Sequence, residues 1–205
     1  MIVELGHFAL ILAFVTSLVV SVVPLIGVAR GNAAMMQLAV PATLVMTAGV
    51  FMAFATLVWA FVTSDFSVAL VAGHSHSAKP MIYKISGTWG NHEGSLLLWI
   101  VILVSFAAIL TYSGKAMPIV LKTRTLAVQG IVTAAFLAFS LFTSNPFARL
   151  SPAPLDGNGL NPVLQDPGLA LHPPTLYVGY VGLSMAFSFA VAGLLDGRID
   201  RVWAI

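Results

Sequence analysis

Five long runs without a charged residue or a histidine restrict the folds open to this chain. They cover residues 8–29, 38–62, 95–113, 126–143 and 175–195. A helix needs about 20 residues to cross the hydrocarbon core of a bilayer, and backbone groups in lipid must be hydrogen-bonded within the protein. We therefore predict an all-α polytopic membrane protein with about five transmembrane helices, forming a single membrane domain over residues 1–205. We expect the first run to be retained, because the residues before it lack the positive charge of a signal peptide.

The composition agrees with lipid as the main solvent. The chain is 59% hydrophobic and only 8% charged, whereas soluble domains are about 25% charged. It has no cysteine, which excludes disulfides and thiolate metal sites within the chain. Its formal net charge of +2 is too small to indicate a nucleic-acid partner.

Lysine and arginine are unevenly distributed between the connections. Two longer connections, residues 63–94 and 144–174, hold only Lys79, Lys84 and Arg149. The other cations lie in shorter segments: Arg30, Lys115, Lys122, Arg124, Arg198 and Arg201. By the positive-inside rule, the short segments and the C-terminus are cytoplasmic. The N-terminus and both long connections then face the periplasm, or the equivalent side of a mitochondrial inner membrane.

His172 lies where the second long connection enters the last predicted helix. Residues 171–180 read Leu-His-Pro-Pro-Thr-Leu-Tyr-Val-Gly-Tyr, and prolines suit the first turn of a helix because their missing N–H groups cost nothing there. We therefore expect His172 near the N-cap, where the helix dipole favours the neutral imidazole that ligates metals. Two interpretations stay open: a metal or haem ligand, or an interfacial side chain that hydrogen-bonds water.

The segment 89–99, Trp-Gly-Asn-His-Glu-Gly-Ser-Leu-Leu-Leu-Trp, enters the third predicted helix. Asn91 is a candidate N-cap, and Glu93 would lie in the first turn, where a carboxylate is favoured. Trp89 and Trp99 then mark the membrane interface. Alternatively, the tryptophans and glycines of this segment offer a flat surface on which a planar aromatic ligand stacks.

The other polar residues of the long connections also allow two interpretations. His74 and His76 are two imidazoles able to bind a metal ion, although an isolated pair in a loop is a weak signal. The three cations either pair with carboxylates of a ligand, such as haem propionates, or anchor the chain near lipid head groups.

The centres of the five runs carry no ionisable residue. Ion-coupled transporters usually need such groups, so the sequence disfavours a self-contained transporter. In the last run, Gly182, Ala186 and Ala190 follow one another at four-residue spacing. Small residues at this spacing let another helix approach closely, which indicates that this helix has neighbours.

The segments 89–99 and 171–180, with Glu4-Leu-Gly-His-Phe-Ala at the start, resemble the CcmF family of cytochrome c maturation proteins over all 205 residues. The resemblance implies c-type cytochrome biogenesis in the bacterial inner membrane. It implies part of a haem lyase that, with CcmH, holds haem delivered by the chaperone CcmE for attachment to apocytochrome c. His172 is then an axial ligand of the haem iron, and Trp89, His92 and Trp99 are further haem-binding residues.

Family members are longer than this chain and carry further elements that its residues do not match. These elements are a tryptophan-rich WWD segment, a second outward histidine and two transmembrane histidines for a haem b. We therefore expect a truncated product or one polypeptide of a split protein, whose partner carries the WWD segment. Whether such a chain forms part of an enzyme stays open. The alternatives are a structural or assembly subunit that binds no haem, and a haem transporter.

Overall fold

The computed structural model describes residues 1–114 and 117–197, which excludes Lys115, Arg198 and Arg201 of the orientation prediction. The described residues form α-helices joined by irregular connections, with one isolated β-bridge between Val68 and Arg149. The helices are α1 Ile2–Ala29, α2 Ala33–Gln37, α3 Ala39–Val62, α4 Ala69–His74, α5 Met81–Gly87, α6 His92–Ser113, α7 Ile119–Phe142 and α8 Pro167–Asp196. A short 3-10 helix covers Pro162–Leu164.

The five predicted spans are confirmed as helices long and apolar enough to cross a membrane. The second span consists of α3 preceded by the short α2. The other four begin earlier than predicted, at Ile2, His92, Ile119 and Pro167. The predicted starts were set by the absence of charge, but the terminal turn of a membrane helix accommodates polar side chains, such as Glu4 in α1 and Lys122 in α7.

Both long connections, residues 63–91 and 143–166, lie at the end of the bundle where α1 begins. The Arg149 guanidinium donates to the Glu4 carboxylate of α1 and lies 3.4 Å from the Asp65 carboxylate of the first connection. Asp156 of the second connection accepts the backbone N–H of Ser77 at 2.9 Å. We call this end of the molecule the long-connection end, and its placement on the periplasmic side stays a prediction.

The helices pack through apolar contacts and a few close approaches. α1 packs against α3 and α7, α3 packs against α6, and α8 packs against α6 and α7. A Cβ at Gly6 of α1 would lie 1.9 Å from the Thr56 hydroxyl oxygen of α3, so only glycine permits this contact. Lipid is as apolar as the side chains, so close packing rather than hydrophobic burial drives this association.

Gln129, which is polar but not ionisable, forms a hydrogen-bond network in the middle of the bundle. Its side chain is fully buried. The amide nitrogen donates to the Ser184 hydroxyl at 3.0 Å and to the Leu103 carbonyl at 3.3 Å. The amide oxygen accepts the Ser188 hydroxyl at 2.7 Å. The network therefore joins α7 to α6 and α8.

We expect Gln129→Leu to lower the free energy of unfolding by about 1–2 kcal/mol, because each interhelical hydrogen bond contributes about 0.6 kcal/mol on average. Unfolding of the purified protein by sodium dodecyl sulfate in mixed micelles, followed by tryptophan fluorescence, measures the change. Ser188→Ala should cost stability in the parent chain and almost none in the Gln129→Leu background. Fully additive effects would contradict the network.

Candidate functional site

The candidate ligand His172 lies inside α8 and not at its beginning. The helix starts at Pro167, and the Ala170 N–H donates to the Asp166 carbonyl at 2.9 Å. The prediction that His172 lies near the N-cap is therefore wrong. The sequence contained the correct signal, because aspartate followed by proline suits the N-cap and first helical position. The helix dipole therefore acts only weakly on the His172 imidazole, since its effect falls off within the first turn.

α8 has a buried face and an exposed face, and His172 lies on the exposed one. Ala170, Val181 and Ser188 are buried, whereas His172 and Leu183 are exposed. Successive residues of a helix turn by about 100°, so the side chain of His172 points roughly 200° away from that of Ala170. In the most apolar window of α8 only 22% of residues are buried, compared with 39–61% in the other four spans. α8 therefore lies at the edge of the bundle.

The small residues of α8 that follow at four-residue spacing, Gly182, Ala186 and Ala190, differ in their contacts and exposure. A Cβ at Gly182 would lie 3.1 Å from the ring of Phe106, so α6 does approach closely there. Ala186 is exposed. α8 has neighbours as predicted, and its contacts involve Gly182 together with the buried Val181 and Ser188.

The imidazole of His172 differs from the other four in its hydrogen bonding. Each of the others has a ring nitrogen 3.1 Å from a partner, which is Asn145 for His7, Leu70 for His74, Ala78 for His76 and Ser144 for His92. Among the described residues, no group hydrogen-bonds the ring of His172. Its backbone carbonyl accepts the Thr175 hydroxyl at 2.9 Å. An exposed ring without an internal partner is available to an external ligand.

Trp89 contacts α8 on the side opposite to His172. Its indole N–H donates to the Ala170 carbonyl at 2.9 Å, and its ring stacks on Phe54 of α3 with centroids 6.4 Å apart. Beside it is a cavity of about 240 Å³. The cavity is lined by Ser86, Trp89, Gly90, Asn91, Leu160, Leu164, Ala170 and Pro173. This volume is below the roughly 300–1,000 Å³ of most small-molecule sites.

Trp99 belongs to an aromatic cluster between α6, α7 and α8. Its ring stacks on Phe136 at 5.8 Å and meets Tyr177 at 5.2 Å and Tyr180 at 5.7 Å. The Tyr177 hydroxyl lies 2.5 Å from the Ser95 hydroxyl. Trp99 therefore fixes α8 against α6 from the same side as Trp89.

His92 lies in the first turn of α6, where the predicted N-cap is confirmed. The Asn91 side chain accepts the Gly94 N–H at 2.7 Å, and Glu93 lies in the first turn. His92 is bonded to Ser144 of the second connection, and its ring meets Phe139 edge-on with centroids 6.3 Å apart. In the described part of the chain, no hydrogen bond or ring contact joins His172 to His92 or to either tryptophan.

His74 and His76 contact different partners. His74 faces the Leu70 carbonyl of its own helix. His76 lies 3.5 Å from Asp156, which also accepts the hydroxyl and the backbone N–H of Ser77. These two bonds from Ser77 hold the pKa of Asp156 at about 2. The Asp156 carboxylate, ionised at neutral pH, therefore links the second connection to the first by hydrogen bonds.

The three cations of the long connections are engaged within the fold. Lys79 and Lys84 are buried, and donate to the His74 carbonyl at 3.0 Å and to the Ser64 hydroxyl at 2.8 Å. Burial, together with the charge of Lys84, lowers the pKa of Lys79 to about 8. Arg149 contacts the carboxylates of Glu4 and Asp65. All three side chains therefore have partners within the fold in this structure.

Comparisons with known proteins give consistent matches. The cytochrome C assembly protein family matches residues 89–202. Ccl1 of Rhodobacter capsulatus and CycK of Rhizobium meliloti, both described as cytochrome c-type biogenesis proteins, are 59% and 58% identical over 100% of this chain, which covers 31% and 30% of their lengths. CcmF of Escherichia coli is 47% identical over 98% of this chain and 31% of its own length. A solved structure of the cytochrome c haem lyase CcmF shares the fold with a TM-score of 0.86 and 25% identity, covering 99% of this chain and 32% of that one.

The chain spans about a third of the length of the relatives that it matches. The family match covers more than half of the chain and includes both segments that carry the candidate site. The chain belongs to the cytochrome C assembly protein family.

Proposed function

We propose that this chain holds haem at its long-connection end during c-type cytochrome biogenesis, with the imidazole of His172 as an axial ligand of the iron. The observation that carries this proposal is the exposed His172 ring, whose nitrogens have no partner among the described residues. Neutral imidazole nitrogen is a common ligand of haem iron. The process is supported by the family match and by relatives described as cytochrome c-type biogenesis proteins.

The surroundings of His172 fit one face of a haem and not a closed pocket. Thr175 and Leu176 are exposed beside it, and a Cβ at Gly179 would meet nothing within 4 Å. A flat group therefore has room against this side of α8. When bound, the haem supplies the vinyl groups that form thioether bonds with substrate cysteines. His172 supplies binding and orientation, and Trp89 and Trp99 hold α8 in place.

Partner proteins would supply the second axial ligand and would bury the haem face that points away from α8. The other four histidines are bonded elsewhere, as described above. We propose a CcmH-like lyase subunit, a CcmE-like chaperone and a polypeptide that carries the WWD segment as partners, with apocytochrome c as substrate.

A second candidate function is a structural or assembly subunit without haem. The exposed face of α8 favours it, because Leu183 is 66% and Phe187 is 56% exposed on a helix at the edge of the bundle. Another transmembrane helix would cover such a face as readily as lipid does. This candidate needs no role for the His172 ring.

We expect haemin added to the purified chain in detergent to give a Soret band at the position of imidazole-ligated haem. His172→Ala should weaken binding by at least about tenfold, because the axial ligand is lost. Absorbance titration measures both effects. His76→Ala is the matched control, since it removes another exposed histidine of the long-connection end.

Equal titrations for His172→Ala and the parent chain would contradict the assignment of the ligand. A parent chain that binds no haemin at all would contradict haem holding by this polypeptide. That result would favour the assembly subunit.

We propose the bacterial inner membrane as the location, with the long-connection end in the periplasm. The absence of cysteine allows a direct test with single substitutions. Ala153→Cys lies in the second connection and Ala34→Cys in α2 at the opposite end, and both alanines are exposed. A membrane-impermeant maleimide added to spheroplasts should label the first cysteine and not the second, as the positive-inside rule predicts. The reverse labelling pattern would refute the orientation.

A further inference from the structure

The carbonyl of Ala170, inside α8, lacks its normal helical donor. In an α-helix the carbonyl of a residue accepts the N–H of the residue four positions later. For Ala170 that residue is Pro174, which lies inside the helix and has no N–H. Ala170 is buried, and a buried carbonyl without a donor destabilises the fold.

The Trp89 indole supplies the missing donor from another part of the chain. Its Nε1 lies 2.9 Å from the Ala170 oxygen, which is normal for an N–H···O bond. A proline inside a membrane helix is tolerated where a neighbouring group satisfies the freed carbonyl. Trp89 and Pro174 therefore form a matched pair, in which one residue removes a donor and the other replaces it.

Trp89 is itself held rigidly. Its ring stacks on Phe54 of α3 with an interplanar angle of 20°. The turn that carries it is closed by Asn91, whose amide donates to the Gly87 carbonyl at 2.7 Å and whose oxygen caps α6 at Gly94. The donor is therefore fixed with respect to α3 and α6. Through it, the first turns of α8 are fixed as well.

We propose that Trp89 is a positioning residue for His172, acting through the Ala170 carbonyl that Pro174 leaves without a helical donor. His172 lies two residues after Ala170, in the same turn, with its side chain on the opposite face. The bond holds this turn from the buried side while the imidazole faces outward. The role toward haem rests on the proposed function, whereas the bond itself does not. Through this bond, Trp89 would position His172 without contacting haem directly.

A double-mutant cycle on the full chain in detergent tests the pair. Trp89→Phe keeps an aromatic ring but removes the donor, and Pro174→Ala restores the helical N–H. We expect Trp89→Phe to raise the hydrogen-exchange rate of amides 175–178 and to weaken haemin binding, each by about 3–10-fold, as the loss of one net hydrogen bond predicts. In the Pro174→Ala background, Trp89→Phe should change neither quantity.

Trp99→Phe is the matched control, because Trp99 also packs on α8 but its indole makes no hydrogen bond to α8 within the described residues. Its effects should be equal with and without Pro174. Equal effects of Trp89→Phe in both backgrounds would overturn the proposal, since the indole would then act by packing alone. Unchanged haemin affinity in Trp89→Phe, where His172→Ala abolishes binding, would also overturn it. If His172→Ala leaves haemin affinity unchanged, the proposed function has failed. The hydrogen-exchange rates then test on their own whether the Trp89–Ala170 bond holds α8.

Discussion

The structure depends on the need of every backbone N–H and carbonyl in lipid to find a partner within the protein. Helices meet most of this need in the five spans, which is why charge-free runs of sufficient length were enough to predict them. Inside α8, Pro174 removes the N–H that would bond the Ala170 carbonyl. The Trp89 indole, in the connection before α6, donates to that carbonyl instead. The missing helical hydrogen bond in α8 is thereby replaced by a hydrogen bond between residues 89 and 170, which are far apart in the sequence.

The position of α8 is set by a small number of such contacts. This helix buries the smallest share of its apolar window, so packing alone defines its placement less strongly than that of the central helices. Trp89 contacts it near its start, the Ser95–Tyr177 hydroxyl pair and the ring of Trp99 follow, and Gln129 contacts it deeper in the bundle. All these contacts lie on one face, which leaves the face with His172 open.

The sequence was sufficient for features that depend on local chemistry. The number of spans follows from charge-free length, and the cap at Asn91 follows from a short polar side chain before an apolar run. Features that depend on distant residues were missed. The burial of Lys79, the network of Gln129 and the outward direction of His172 need the relative placement of helices. The start of α8 was predicted too late because Pro173 and Pro174 were taken as its first turn, whereas the helix begins at Pro167. The haem chemistry of the site came from the family resemblance.

The central claim is that the free imidazole of His172 ligates haem iron, and pulsed electron paramagnetic resonance tests it most directly. Ferric haem is added to the chain with ¹⁵N-labelled histidine, and hyperfine coupling between the iron and an imidazole nitrogen is recorded. The account predicts a coupling that is present in the parent chain and in His76→Ala and absent in His172→Ala. A coupling that persists in His172→Ala, or that never appears in the parent chain, would contradict it.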